Sequence, residues 1–339
     1  MSPEQKSIKY ARIGIILGLL SGFLWSLDGL MVEYAQGFPP FDMTASGSLF
    51  ILIAAVCAGL HDIFAALFVT LYNHRAGRLK EVGRSLVSRP GRSVIMGSLI
   101  GAVCGMGAYM AALQLAPSAY VMPITALYPG VAVILAVIFL KERVKPLAVA
   151  GILICITGAV VIGYAPPETG ETGTGTIFTL GIIFAIVATI GWGAEGVFVT
   201  SGMDFIEPDA ALNIRYLVSS LFFMGFVLAS PLFLDLPDGV SVTGILKQLA
   251  TSRGTLVMAA TGTVGGMTFV AWYRSMNMTG VSRAMALNIS YALWAVLLSV
   301  FFTDLKLTPG LVTGALCIFM GSLFVIGNPK DMLTLRDID

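Results

Sequence analysis

Charged residues are scarce in this chain. Lys, Arg, Asp and Glu make up 12% of its 339 residues, whereas hydrophobic residues make up 57%. A soluble domain usually carries about 25% charged residues, so this composition leaves too little polar surface for a globule in water. The net charge of +1 also gives no basic surface for nucleic acid. These shortages point to an integral membrane protein.

Histidine and cysteine are also scarce. The only histidines are His61 and His74, and the four cysteines lie singly without a C-x-x-C pair. This spacing indicates neither a disulfide framework nor a Cys/His metal site, so neither a metal nor another cofactor is expected. No serine or cysteine lies in a nucleophile elbow or a triad pattern. A membrane-embedded enzyme or scaffold is therefore the weakest functional hypothesis.

Long apolar runs recur along the whole chain. Each is long enough to cross about 30 Å of hydrocarbon. They lie at roughly 13–35, 44–72, 92–113, 118–140, 146–164, 177–200, 209–234, 254–277, 281–302 and 308–327. The sequence thus predicts an all-α integral membrane protein with ten transmembrane helices. The first run is too long for a signal peptide and is expected to remain as the first span.

Basic residues between the second and third runs predict the orientation. The loop 73–92 carries His74, five arginines and one lysine against a single glutamate. The positive-inside rule places such a loop in the cytoplasm, and alternation then places both termini there. A bacterial cytoplasmic (inner) membrane is the expected location. The loop 201–208 falls on the same side but is acidic, so the rule supports the second half less well.

The two halves of the chain repeat each other. The coinciding pairs are Tyr128 with Tyr291 and Gly158 with Gly321 at a shift of 163 residues, and Trp25 with Trp192 and Asp28 with Glu195 at a shift of 167. We expect one five-helix repeat at 1–165, a linker at 166–176, and a second repeat with a cytoplasmic tail at 177–339. Because five spans are an odd number, the second repeat must be inverted. Inverted repeats are typical of secondary transporters that work by alternating access.

Each repeat carries a carboxylate near the centre of its first span. Asp28 follows Trp25 by three residues, as Glu195 follows Trp192, so ring and acid share a helical face. An ionised carboxylate at bilayer depth costs on the order of 3 kcal/mol. Two interpretations stay open: the acids attract a cationic substrate or a coupling proton, or they are neutralised by two arginines of the second repeat.

Those arginines are Arg215 and Arg274. Arg274 follows Trp272-Tyr273 and has three interpretations: it pairs with Asp28, it binds the anionic end of a substrate, or it lies near a water-filled exit. Arg215, early in the seventh predicted span, is expected to pair with an acid or to bind backbone carbonyls.

Tryptophan at mid-depth is unusual, because aromatic belts normally lie at the ends of spans. The tryptophans and nearby tyrosines predict a cage for a quaternary ammonium cation, each well-placed ring contributing roughly 2 kcal/mol when desolvated; helix packing is the alternative for each ring. Asn288 offers an amide to a substrate hydroxyl or to a neighbouring helix. The predicted substrate-binding residues are Trp25, Asp28, Tyr109, Trp192, Glu195, Trp272, Tyr273, Arg274, Asn288, Tyr291 and Trp294.

These motifs resemble the drug/metabolite transporter superfamily with two EamA-type repeats, and within it the bacterial choline-uptake transporters of the lic type. The resemblance covers nearly all ten spans. It is carried by Leu19-Leu20-Ser21-Gly22 with Trp25, Gly105-Met106, Tyr128-Pro129, Trp192-Gly193 with Glu195, and Leu287-Asn288 with Ser290-Tyr291 and Trp294. It implies the drug/metabolite transporter fold, with a cavity between spans 1–4 and 6–9 and with peripheral spans 5 and 10.

The resemblance implies transport of choline or a related quaternary ammonium compound. Asp28 and Arg274 depart from the choline-type pattern; together they form an ion pair or admit a zwitterion such as betaine. The alternative function is export of amino acids or other zwitterionic metabolites, with Arg274 holding a carboxylate. The expected partners are a small-molecule substrate and the lipid bilayer, with a coupling proton and a second copy of the chain in a homodimer as further candidates.

Overall fold

The computed structural model describes residues 3–43, 47–140, 146–164, 175–203, 205–279, 284, 287–303 and 306–326. The predicted linker up to residue 174 and the predicted tail beyond 326 lie outside the described residues. Within the described part the chain is helical and contains no strand. The expectation of an all-α protein is confirmed there.

The helices, in chain order, are α1 (Pro3–Gln36), α2 (Ser48–Arg75), α3 (Leu79–Leu86), α4 (Arg89–Ile100), α5 (Ala108–Leu115), α6 (Ser118–Thr125), α7 (Tyr128–Leu140), α8 (Pro146–Gly163), α9 (Thr176–Met203), α10 (Pro208–Ala229), α11 (Val242–Thr251), α12 (Arg253–Thr279), α13 (Tyr291–Phe302) and α14 (Pro309–Ile326). A π-helical stretch, Gly101–Gly107, joins α4 to α5, and a short 3₁₀ turn, Ser230–Leu232, follows α10.

Six helical stretches among the described residues are long and apolar enough to cross a membrane. They are Arg12–Gln36, Ser48–Arg75, Arg89–Leu115, Thr176–Met203, Pro208–Leu232 and Arg253–Ser275. Shorter apolar helices cover Val149–Ile162, Tyr291–Phe302 and Pro309–Phe324. The lengths and composition fit a multi-pass membrane protein.

Two of the predicted spans are interrupted. α6 ends at Thr125 and α7 begins at Tyr128, because Pro129 has no N–H to donate to the carbonyl of Thr125 but fits the first turn of a new helix. In the other half, a turn at residues 289–290 precedes α13, which begins at Tyr291. The predicted spans 118–140 and 281–302 therefore each contain a break.

The two halves contact each other along antiparallel helices. A Cβ added to Gly59 of α2 would lie 2.9 Å from the Cβ of Phe223 in α10. Farther along α2, Asn73 Nδ2 donates to the backbone oxygen of Asp209 at 2.9 Å, near the start of α10. The residue numbers rise along α2 as they fall along α10, so the two helices run in opposite directions.

α8 and α14 also pack antiparallel, through glycines. A Cβ on Gly158 would lie 2.7 Å from the carbonyl oxygen of Gly314, and a Cβ on Gly321 would lie 2.7 Å from that of Gly151. Only glycine allows backbones to approach so closely. Elsewhere α1 packs on α12, and α9 packs on α4 and α5.

Candidate functional site

An aromatic cavity lies between the two halves, where α1, α9 and α12 meet the broken helices. Its non-atom space is about 650 Å³, open solvent included, and its lining is mostly aromatic and apolar with a few polar groups, as in small-molecule sites. Seven predicted residues line it: Trp25, Trp192, Glu195, Trp272, Tyr273, Asn288 and Tyr291. The lining also includes Tyr128, Thr268 and Phe269, and continues along α9 through Gly196 and Val199 to Met203.

Connected aromatic rings form the wall of this cavity. The rings of Trp25 and Trp192 lie 5.5 Å apart edge to face. Phe269 lies 5.5 Å from Trp25 and 5.5 Å from Trp272. Sequence reasoning missed Phe269, although it precedes Trp272 by three residues and so shares its helical face.

Four of the predicted residues lie outside the cavity lining. Tyr109 is behind it, stacked on Trp25 with ring centroids 5.6 Å apart. Trp294 packs edge-on against Phe23 at 5.4 Å. The other two, Asp28 and Arg274, take part in separate polar clusters.

Glu195 is the one charged residue among the described residues that line the cavity. Its Oε1 accepts a hydrogen bond from Arg215 Nε at 2.7 Å, and both side chains are buried. The Arg215 guanidinium also lies over the ring of Phe269, 4.5 Å from its centroid. The expected pairing of Arg215 with an acid is thus present, and it places a counter-charge against the buried carboxylate beside the cavity.

Glycines in the third helical stretch make room for the Trp-Gly-Ala-Glu motif. A Cβ on Gly101 would overlap the carboxylate of Glu195, and one on Gly105 would lie 2.6 Å from Trp192 Nε1. Both glycines fall in the π-helical stretch, a rare conformation that is frequent at functional sites. Glycine at both positions thus allows α9 to approach this stretch closely.

Asp28 has a partner that sequence reasoning did not predict. Its Oδ1 lies 3.1 Å from His61 Nε2, and His61 Nδ1 lies 2.8 Å from Asp62 Oδ1. Ser219 Oγ donates to Asp62 Oδ2. The proposed Asp28–Arg274 ion pair is therefore wrong, because α2 brings an imidazole against α1 at this depth. The signal was the His-Asp pair itself, since ionisable residues inside a span are rarely without a role.

Arg274 lies at the far end of α12. Its guanidinium bonds the hydroxyl of Tyr72 and lies 3.5 Å from Asp209 Oδ2. Arg78 bonds the same carboxylate at 2.6 Å and Glu207 at 2.9 Å. The Arg274 side chain is 42% exposed beside an open cleft, so of its three interpretations the exit position fits.

The acidic loop before α10 thus lies against the basic loop after α2, which explains why it can be acidic on the same side.

Asn288 bonds between helices. Its Nδ2 donates to Ser21 Oγ at 2.9 Å, and its Oδ1 accepts from the Tyr128 hydroxyl at 3.3 Å. In a matching contact, the Tyr291 hydroxyl donates to Thr125 Oγ1 at 3.1 Å. Of the two interpretations of Asn288, contact between helices is the one that the geometry shows.

The model of the EamA-like transporter family matches residues 12–164 and matches again over residues 179–327. The chain belongs to the EamA-like transporter family. It is therefore a multi-pass membrane transporter with two EamA repeats, and its family is not a family of enzymes. The predicted resemblance to drug/metabolite transporters with lic-type relatives is confirmed.

Known proteins resemble this EamA transporter over most of its length. Protein LicB of Haemophilus influenzae is 24% identical over 283 residues, which cover 84% of this chain and 87% of that protein. A protein of known crystal structure superposes with a TM-score of 0.56 at 20% identity, over 92% of this chain and 94% of that one. At that identity the superposition supports the fold alone.

Proposed function

We propose that this EamA transporter moves choline or a related quaternary ammonium cation across the bacterial cytoplasmic membrane by alternating access. The observation that carries the proposal is the aromatic cavity with Glu195 as its charged lining residue. A quaternary ammonium has no N–H to donate, so ring faces and a negative charge attract it better than neutral hydrogen-bond acceptors do. The motif resemblance to lic-type choline transporters supports the same substrate class.

One hydrogen bond between the halves has a counterpart at the equivalent positions of the other half. This correspondence supports two inverted five-helix repeats and ten spans. The Tyr128–Asn288 bond becomes the Tyr291–Thr125 bond when each residue is shifted by 163 positions. Likewise, the helices α2 and α10, second in each half, run antiparallel. A two-fold axis that relates antiparallel helices lies in the membrane plane, as in transporters with inverted repeats.

The position of the cavity supports alternating access. It lies on the seam between the halves, at the breaks that precede Tyr128 and Tyr291, and discontinuous helices typically form transporter binding sites. Its lining reaches Met203 at the end of α9, the end of the bundle that carries the basic loop. By the positive-inside rule that end is cytoplasmic.

The cavity favours a cation over a zwitterion. The alternative function, export of amino acids, needs Arg274 to bind the carboxylate of the substrate, but Arg274 lies outside the cavity. The described lining contains no basic side chain at all. An amino acid or betaine would therefore bring a carboxylate close to Glu195 without a direct counter-charge, which is a repulsive contact.

Choline binding to the purified protein, measured by calorimetry, tests the proposal. We expect saturable binding that Trp272→Leu weakens severely, because it removes a ring from the cavity wall. Trp294→Leu is the matched control, since it removes the same side chain from a position outside the lining. Equal losses in both variants, or binding of amino acids in place of choline, would contradict the proposal.

A further inference from the structure

Five ionisable side chains lie buried beside the aromatic cavity, and acids outnumber bases among them. The acids are Asp28, Asp62 and Glu195, and the bases are His61 and Arg215, each at most 6% exposed. Glu195 lines the cavity, and Asp62 lies close enough to Glu195 and Arg215 to interact electrostatically with both. The five therefore form one group. With the acids ionised, its net charge depends on His61, because a guanidinium does not lose its proton.

The imidazole of His61 lies between two carboxylates. Its Nε2 is 3.1 Å from Asp28 Oδ1, and its Nδ1 is 2.8 Å from Asp62 Oδ1. An ionised carboxylate only accepts hydrogen bonds, so each of these contacts needs a hydrogen on the ring. An imidazole with a hydrogen on both nitrogens is positively charged. The two contacts therefore favour the imidazolium form.

Asp28 depends on this positive charge more than Asp62 does. Asp62 has a second partner, because Ser219 Oγ donates to its Oδ2. Among the described residues, Asp28 forms an ion pair with His61 alone, and its Oδ2 is buried without a hydrogen-bond partner. A neutral imidazole would leave Asp28 in the interior without a counter-charge, which is costly.

The remaining neighbours of the cluster add no positive charge. Gly265 of α12 closes one side, since a Cβ there would lie 2.6 Å from His61 Nε2. Tyr109 on α5 and Tyr216 on α10 interact electrostatically with Asp28, but both are neutral phenols. Glu33, farther along α1, accepts from a backbone N–H at the start of α6.

We propose that His61 stays protonated between Asp28 and Asp62 and thereby sets the charge of the substrate that the transporter accepts. The three acids, Arg215 and the imidazolium together carry one net negative charge. One monovalent cation in the cavity neutralises it, whereas a zwitterion leaves it uncompensated. His61 is then a specificity-determining residue that does not touch the substrate.

This inference rests on the proposed function and explains why the substrate is a monovalent cation. The cluster lies close to the cavity wall: Asp28 is one helical turn from Trp25, and Gly265 is one turn from Phe269, and both rings line the cavity. The group is neutral only with the cation bound. The loaded cavity can therefore close without leaving a net charge at bilayer depth.

Nitrogen-15 NMR of the purified full-length protein without choline tests the protonation of His61 alone. The chain has two histidines, so His74→Gln in a protein without a histidine tag leaves His61 as the single imidazole. Its two nitrogen shifts distinguish an imidazolium from both neutral tautomers. Near neutral pH we expect the imidazolium, and we expect it to persist when choline is added. A neutral ring, or a ring that loses its proton as choline binds, would overturn the proposal.

His61→Gln tests the effect on the substrate. At about pH 8, where free carboxyl groups are ionised, the variant should bind choline about tenfold more tightly than the wild type, because the group gains negative charge. The neutral isostere 3,3-dimethylbutanol should bind both equally. Counterflow of choline should nevertheless fall at least tenfold, because the loaded group is no longer neutral. His74→Gln is the matched control, since it makes the same substitution at an exposed position.

The outcomes separate this inference from the proposed function. Choline binding to His61→Gln that is equal to or weaker than in the wild type would overturn the role of His61 while the proposed function stands. If His61 is an imidazolium but the wild type does not bind choline, the proposed function fails and the assigned charge of the group stands. The NMR measurement decides the protonation even if His61→Gln does not fold.

Discussion

At the scale of single residues, we propose that the charge of Glu195 determines what the cavity attracts. Its partner Arg215 lies behind the lining and supplies a counter-charge to this carboxylate, which lines the aromatic cavity. The tryptophan-acid motif made this residue visible in the sequence. The sequence left the basic partner of Glu195 open, because an ion pair between residues 20 positions apart depends on how two helices pack.

Replacing Glu195 with Gln should weaken choline binding by about tenfold or more, because the charge attraction is lost while the amide oxygen still accepts from Arg215. The neutral isostere 3,3-dimethylbutanol should bind the variant as well as it binds the wild type. Competition calorimetry with both ligands measures the difference. Equal weakening of both ligands would mean that the substitution only distorts the cavity, and the electrostatic role would be refuted.

At the scale of elements, the apolar runs predicted which segments are helical but not where they break. Pro129 was a visible signal for the start of α7, whereas no proline marks the corresponding turn before Tyr291. The short helices α3 and α11 fall in predicted loops, since they are too short to register as spans. The break before Tyr291 therefore has no comparable signal in the local sequence.

The contact of α8 with α14 leads to a stability prediction. Gly158→Ala should destabilise the fold by about 1–3 kcal/mol, because its Cβ would press on the carbonyl of Gly314 in a close-packed contact. Gly130→Ala is the control, since its Cβ would meet only Ile152 at an ordinary 3.8 Å. Thermal unfolding in detergent measures both variants. A control that unfolds as early as Gly158→Ala would contradict the packing account.

At the scale of the whole molecule, the duplicated sequence predicts that the two halves are inverted repeats. The shift that aligns Tyr128 with Tyr291 also exchanges their hydrogen bonds. What the sequence could not provide is the cluster around His61, where α1, α2, α10 and α12 meet. Contacts among four helices depend on the complete fold.

The orientation of the molecule can be tested with cysteines on opposite ends of α10. Arg84 and Asp238 are both exposed, and the bond between Arg78 and Asp209 puts Arg84 near the start of α10 while Asp238 follows its end. In a cysteine-free background, Arg84→Cys should react with an impermeant maleimide only after the membrane is permeabilised, and Asp238→Cys should react in intact cells. The reverse pattern would invert the predicted topology, and labelling of both in intact cells would contradict it.

Counterflow of labelled choline into proteoliposomes tests the central claim most directly, because exchange through one alternating site is what two inverted repeats around a cavity are proposed to perform. The account predicts a transient overshoot of labelled choline in vesicles preloaded with unlabelled choline, and none in vesicles preloaded with an amino acid. An overshoot driven by the amino acid, or no overshoot with choline inside, would contradict it.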